Sequence, residues 1–260
     1  MVDLDLTGRV AIVTGGSQGI GQAIALCLAD HGADIVIASR TAEKVDAACD
    51  QVRAKGRRAL GVPTDVTRID AMRALVDRTQ AEFGRIDILI NNAGGTAPGA
   101  RQTLLNVTEA GFQETFDMNV KSVMFLSQFV APIMQARGKG SIVHVSSIAG
   151  RHNELSRTGF AVYGAAKAAV DVLTRSMAAE WGPTVRVNAV LPGMIDNGRV
   201  TASRAPERMQ ARMATVALHR MGVVDEIATV VTFLCSDAAS YVTGSCYDVD
   251  GGNTSTHAAI

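Results

Sequence analysis

Tyr163 and Lys167 stand four residues apart in the run AVYGAAKAAV. An alanine-rich segment of this kind favours a helix, and a spacing of four puts both side chains on one face, a turn apart. A phenol with a pKa near ~10 is a poor acid or base at neutral pH. An ammonium about 5 Å away, at an effective dielectric of about 20, stabilises the phenolate by roughly 3 kcal/mol, or about two pKa units. That brings a tyrosine toward the range where it exchanges protons with a substrate. Tyrosine and lysine at this spacing also form ordinary surface pairs, so the chemistry depends on what lies upstream.

Upstream is a nucleotide site, in GRVAIVTGGSQGIGQAIALCLADHGADIVIASR. Val10 to Val13 is a β-branched apolar run that reads as a buried parallel strand. It leads into Thr14, Gly15, Gly16, Ser17, Gln18, Gly19, Ile20 and Gly21, and an apolar helical stretch continues to Leu28. Glycines let the backbone turn sharply and approach a pyrophosphate, and the following helix offers unpaired N–H groups and its positive dipole end. The spacing is G-x-x-x-G-x-G rather than G-x-G-x-x-G, but the mechanics match a dinucleotide site.

The next strand, Asp34 to Ala38, ends in Ser39-Arg40. An acidic residue at this strand end would bond the ribose 2′-hydroxyl of NAD and repel a 2′-phosphate. A neutral Ser39 followed by a guanidinium that can hold phosphate bidentately points to NADP(H), with NAD(H) possible. One charge-assisted contact of about 1.5–3 kcal/mol favours NADP(H) by roughly ten- to a hundredfold. The plainer reading of Arg40 is a solvated charge at a helix start.

Strands are expected near 9–14, 34–39, 58–62, 86–91, 141–147, 185–191 and 245–249, with helices between them. This alternation argues for an α/β fold: one doubly wound Rossmann-type domain, 1–260, with a seven-stranded parallel sheet flanked by helices and right-handed crossovers. The motifs then collect at the carboxyl ends of the strands, where ligands bind in such sheets. With 25 basic and 25 acidic residues and no basic block, the chain offers nothing for nucleic acid or a membrane surface. No apolar run approaches the ~20 residues that span a bilayer, and the first strand begins too early to leave room for a signal peptide. Cys27, Cys49, Cys235 and Cys246 form no C-x-x-C pair, and the simplest account is reduced thiols in a cytoplasmic protein. The five histidines show no metal spacing, so no metal is expected. His144 near Ser147 suggests a hydrolase, but it alternates with Val143 and Val145 along a strand and lacks the G-x-S-x-G elbow.

The chain resembles the short-chain dehydrogenase/reductase family along nearly its whole length. The matching motifs are Thr14 to Gly21, Asp65-Val66, Asn91 to Gly94, Asn119, Ser146 to Gly150, Tyr163 to Lys167 and Pro192-Gly193, in the family's order. The resemblance implies that Ser147 polarises a substrate carbonyl, with Ser146 as the fallback. It implies that Tyr163 is the acid/base, that Lys167 lowers its pKa and bonds the nicotinamide ribose, and that Asn119 supports a water-linked proton route to Lys167. Asp65 and Val66 match the adenine contacts, while Asn91, Asn92, Ala93, Gly94, Pro192, Gly193 and Ile195 match the cofactor cleft. The long helical stretches around 108–137 and 160–181 correspond to the family's four-helix dimer interface, and the last strand to the one that helps make tetramers, which implies a homotetramer.

Three departures from the family pattern stand out. Asn197 occupies a usual threonine position beside the nicotinamide carboxamide. Gln18 stands where NADP-binding relatives often carry a basic residue. The stretch Arg151 to Val162 is longer than the pattern and is expected to shape the substrate pocket, and the connection Met194 to Arg220 is expected to form helices closing over it. The core motifs admit a general NADP(H)-linked carbonyl reductase or alcohol dehydrogenase acting on a small or hydrophobic, cyclic or steroid-like secondary alcohol. They equally admit a 3-oxoacyl-(acyl-carrier-protein) reductase, which needs a basic patch such as Arg151, His152 and Arg157 to dock its acidic carrier. A dinucleotide-sensing protein without turnover is the third reading, and it leaves Ser147, Tyr163 and Lys167 without a purpose. Arg204 and Arg208 are further cations that could meet an acidic substrate.

Overall fold

The computed structural model describes residues 4–151, 159–197, 210 and 213–254. The apolar β-branched runs become strands, in chain order β1 (Val10–Thr14), β2 (Asp34–Ser39), β3 (Ala59–Pro63), β4 (Ile88–Asn91), β5 (Gly140–Val145) and β6 (Val185–Pro192). Two short strands follow, β7 (Ile195–Asp196) and β8 (Gly222–Val223), then β9 (Cys246–Val249). The main sheet has the order β3-β2-β1-β4-β5-β6-β9, and every neighbouring pair in it is parallel. Each expected strand is present within about two residues of its expected limits. The order reverses direction beside β1, which opens a crevice between the carboxyl ends of β1 and β4, where such sheets bind ligands.

Helices α1 (Gly19–Asp30), α2 (Ala42–Ala54), α3 (Ile69–Phe83), α4 (Glu109–Phe116), α5 (Ser122–Ala136), α6 (Ala161–Trp181) and α7 (Val224–Cys235) cover the sheet. Alternate strand residues feed two cores. Ala11, Val13, Ile35, Ile37, Val143 and Val145 pack with α1, α2 and α7. Val10, Ile12, Val36, Leu89 and Ile142 pack on the opposite face with α3, α5 and α6. Both faces of the strands are therefore apolar, as parallel sheets require.

Two features differ from the expected outline. The helical stretch near 108–137 is interrupted by a π-turn at Asp117–Lys121, in which the Ser122 N–H reaches the Asp117 carbonyl five residues back. Such turns insert one extra residue into a helix and often mark functional positions. The ends of the connection after Met194 are tied by pairing of β7 with β8, while most of its middle, with Arg204 and Arg208, lies outside the described residues.

Candidate active site

The glycine turn after β1 is held by a latch that joins distant parts of the chain. The Thr14 hydroxyl donates to the Ile90 carbonyl at 3.1 Å and accepts from the Asn92 and Ala93 N–H groups at 2.9 and 3.0 Å. The Asn92 carboxamide donates back to the Thr14 carbonyl at 2.9 Å. This fixes the ends of β1 and β4 side by side. At Gly21 a Cβ would collide with the Gly15 carbonyl and with Asn92 Nδ2. Only glycine lets the first turn of α1 close against the loop. Gln18, the residue before α1, makes no side-chain cap, so the first N–H groups of that helix are left for an anion at the turn.

Around this turn runs one cleft of about 420 Å³. Gly15, Gln18, Gly19, Ile20, Gly21, Ser39, Arg40, Asp65 and Val66 line the end beside the glycine turn and β2. Asn92, Ala93, Gly94, Ser146, Ser147, Tyr163, Lys167, Pro192, Gly193, Ile195 and Asn197 are among those that line the rest. Three expected residues stand behind the wall instead, among them Asn91, which is buried and donates to the Ser127 hydroxyl at 2.9 Å. Ser17 is buried and donates to the Ser39 hydroxyl at 2.9 Å, bracing the end of β2. Asn119 is wholly buried in the π-turn, and its carboxamide bonds the Gly95 and Thr115 carbonyls at 2.7 Å each and accepts the Gly95 N–H at 3.1 Å. It shapes the segment after Gly94 from behind. Burial works against the charge of Asp65, but the Thr67 amide and hydroxyl and the Arg40 guanidinium hold its carboxyl below the usual range.

At the other end, the loop after β5 presses on α6. A Cβ at Gly150 would lie 2.7 Å from the Ala168 nitrogen and 2.9 Å from the Lys167 carbonyl carbon, so glycine sets that approach. The two serines before it part company. The Ser146 hydroxyl is buried and donates to the Lys167 carbonyl at 3.2 Å. The Ser147 hydroxyl accepts from the Ala149 N–H at 3.1 Å, which leaves its proton to be donated elsewhere.

Lys167 is 4% exposed, and its Nζ donates to the Val145 carbonyl at 2.8 Å while standing 5.6 Å from the centre of the Tyr163 ring. Burial pulls its pKa down to about 8, partly offset by the negative charge of Asp171 one turn on. Beneath it, fully buried His144 meets the Asn91 carboxamide at 3.1 Å. Burial, helped by the Lys167 charge, pushes the imidazole down to about 3, so it is neutral. It does not line the cleft and is no partner for Ser147.

Arg151, expected as part of a carrier-docking patch, is turned inward instead. It bonds Asp248 at 2.9 Å and the Cys246 carbonyl at 3.2 Å, and it lies 3.8 Å from Asp171. Two opposing carboxylates outweigh the pull of solvent on this guanidinium. His152 and Arg157 lie outside the described residues. Among those described, no three His, Cys, Asp or Glu side chains converge as a metal site, and no helix is long and apolar enough to cross a membrane. The Thr14 latch and the Val145 carbonyl under Lys167 carry no local signal in the sequence, because both are contacts across the sheet.

Residues 15–254 match the family model described as enoyl-(acyl carrier protein) reductase. The 7α-hydroxysteroid dehydrogenase of Escherichia coli K12 is 35% identical over 96% of this chain and 96% of its own. The cis-4-hydroxycyclohexanecarboxylate dehydrogenase of Sinomonas cyclohexanicum is 41% identical over 95% and 96%. A solved 7α-hydroxysteroid dehydrogenase, complexed with NADH and 7-oxo glycochenodeoxycholic acid, is 34% identical, covers 96% of both chains and superposes with a TM-score of 0.90. With a glycine turn, a latched crevice and a Tyr163–Lys167 helix face in one cleft, and with relatives matched end to end, this chain belongs to the short-chain dehydrogenase/reductase family of NAD(P)-dependent oxidoreductases.

Proposed function

We propose that this protein is an NADP(H)-dependent oxidoreductase acting on the carbonyl of a small or hydrophobic cyclic ketone, and on the matching secondary alcohol. The observation that carries the reading is the convergence of Ser147, Tyr163 and buried Lys167 at one end of a cleft whose other end is the glycine turn. The cofactor, when bound, supplies or accepts the hydride. Ser147 hydrogen-bonds the substrate oxygen through its hydroxyl and keeps its proton, while Tyr163 alone gives that oxygen a proton in reduction or takes it in oxidation. Lys167 holds a positive charge beside the phenol and favours its ionised form. Asn119, behind the cleft wall, supports a water-linked proton route to Lys167. Arg40 and neutral Ser39 favour NADP(H), with NAD(H) as the competing cofactor. The cyclic substrate class is supported by what the relatives are named for: a steroid, a hydroxycyclohexanecarboxylate and, in Rhodococcus, cyclohexanol.

A 340 nm assay with both reduced cofactors across cyclic ketones, steroids, sugars and acyl thioesters tests this reading. Tyr163→Phe should lower kcat by about 10²–10⁴ and still bind cofactor. A wild-type protein inert toward every ketone would overturn the proposal and leave a dinucleotide sensor in its place. The second reading, reduction of a 3-oxoacyl carrier thioester, draws on the wording of the matching family model. The inward-turned Arg151 weakens it, and activity on thioesters but on no cyclic ketone would establish it.

We further propose one catalytic domain over 1–260, assembled as a homotetramer in the cytoplasm. Exposed Phe112 on α4, Met124 on α5 and Val172 on α6 give the helices an apolar outer face suited to a second copy. The four cysteines are free thiols, consistent with a reducing compartment. A light-scattering mass of a single 27.2 kDa chain would refute the assembly.

A further inference from the structure

We infer that Lys44 is a second cation for the 2′-phosphate, working from across the cleft mouth and standing in for the basic residue that Gln18 displaces; this rests on the NADP(H) reading. Lys44 lies in the first turn of α2, four residues after Arg40. Its Nζ donates to Gln18 Oε1 at 3.3 Å, and Gln18 lines the cleft together with Ser39 and Arg40. A glutamine therefore borrows a positive charge from another element. Arg40 follows the end of β2 and Lys44 stands on α2, and the Ser39 hydroxyl that also lines the cleft is neutral and accepts a hydrogen bond from buried Ser17.

The surrounding charges favour an anion at this spot. Asp65, the carboxylate on the cleft wall, is bonded to the Thr67 amide and hydroxyl at 2.9 and 2.7 Å, and its charge is set against Arg40. Glu43 and Asp46 are exposed on α2, where solvent screens them. Thr41, before α2, makes no side-chain cap, so the positive end of that helix adds to the two cations. Lys44 and Gln18 are both exposed. The ammonium can leave the amide oxygen for a phosphate with little rearrangement, and the gain is that of an exposed ion pair.

The test compares kcat/KM for NADPH and NADH in the whole protein and in Lys44→Gln, Lys44→Glu and Lys44→Arg. Calorimetry with adenosine 2′,5′-bisphosphate, against adenosine 5′-phosphate, reads the phosphate directly. The NADPH-to-NADH ratio should fall about fivefold in Lys44→Gln, further in Lys44→Glu, and recover in Lys44→Arg. Bisphosphate affinity should fall with it and lose part of its salt dependence. A wild type that prefers NADPH, with ratios and bisphosphate affinity unmoved in the glutamine and glutamate variants, would overturn the role of Lys44 alone. A wild type that prefers NADH would overturn the cofactor reading. In that case selective loss of bisphosphate in the variants would still support Lys44 as a phosphate ligand, and its absence would sink it.

Discussion

Lys167 and Tyr163 meet as a buried ammonium 5.6 Å from an aromatic ring centre, and the ammonium is anchored not by the tyrosine but by the Val145 carbonyl on β5 at 2.8 Å. The helix spacing brings the pair onto one face; the sheet holds the cation in place. A carbonyl is a weak counterpart for a buried charge, and the lowered pKa of about 8 records the strain.

That strain has a sign. An unfolded lysine titrates at 10.5 and the folded one at about 8, so the unfolded chain binds more protons between these values. Stability should then rise with pH from about 8 to 10.5, and the penalty, roughly 3 kcal/mol, should be fully present below pH 8. Lys167→Met removes the charge at the expense of one bond to the Val145 carbonyl. Its melting temperature at pH 7 should exceed that of the parent by a few degrees, with turnover lost. A melting point several degrees below the parent would show that the ammonium stabilises the fold.

The neighbouring serines should separate by phenotype. Ser147→Ala removes a hydroxyl whose proton is free, and should lower kcat by about 10²–10³ with little change in melting. Ser146→Ala removes a bond to the Lys167 carbonyl and should instead lower stability by about 1 kcal/mol. If steady-state rates fall in the Ser146 variant and not in the other, the assignments must be exchanged.

Arg40 with Ser39 should govern cofactor choice. The double change Ser39→Asp with Arg40→Ala should move the NADPH-to-NADH ratio of kcat/KM by roughly ten- to a hundredfold toward NADH. Kinetics with both cofactors in the two proteins decide it, and an unchanged ratio would remove Arg40 from the phosphate site.

Gly21→Ala drives a methyl into the Gly15 carbonyl and the Asn92 carboxamide. Both belong to the latch that joins β1 to β4, so neither can yield freely. A loss of about 1–3 kcal/mol in denaturant unfolding is expected, together with weaker binding of either cofactor. A variant that unfolds and binds like the parent would mean that the turn relaxes at no cost.

Much of this protein was legible in residue order alone. The alternation of apolar runs and helical stretches determined the parallel sheet, because strand and helix periods are properties of short segments. The glycine turn and the Tyr163–Lys167 spacing were likewise readable, since steric freedom and helix pitch act over a few residues. Other features appeared only in three dimensions. Thr14 and Asn92 are 78 residues apart and bond through the register of β1 against β4. Asn119 was singled out through the family resemblance, yet its burial in a π-turn behind the cleft was invisible, because one inserted residue leaves no mark on composition. Arg151 read as a free charge until β9 brought Asp248 beside it, and Lys44 carried no motif until α2 folded back onto Gln18. Local sterics and periodicity were written in the chain; which polar group meets which was decided by the sheet, since a hydrogen bond depends on ångström-scale placement that no local pattern encodes.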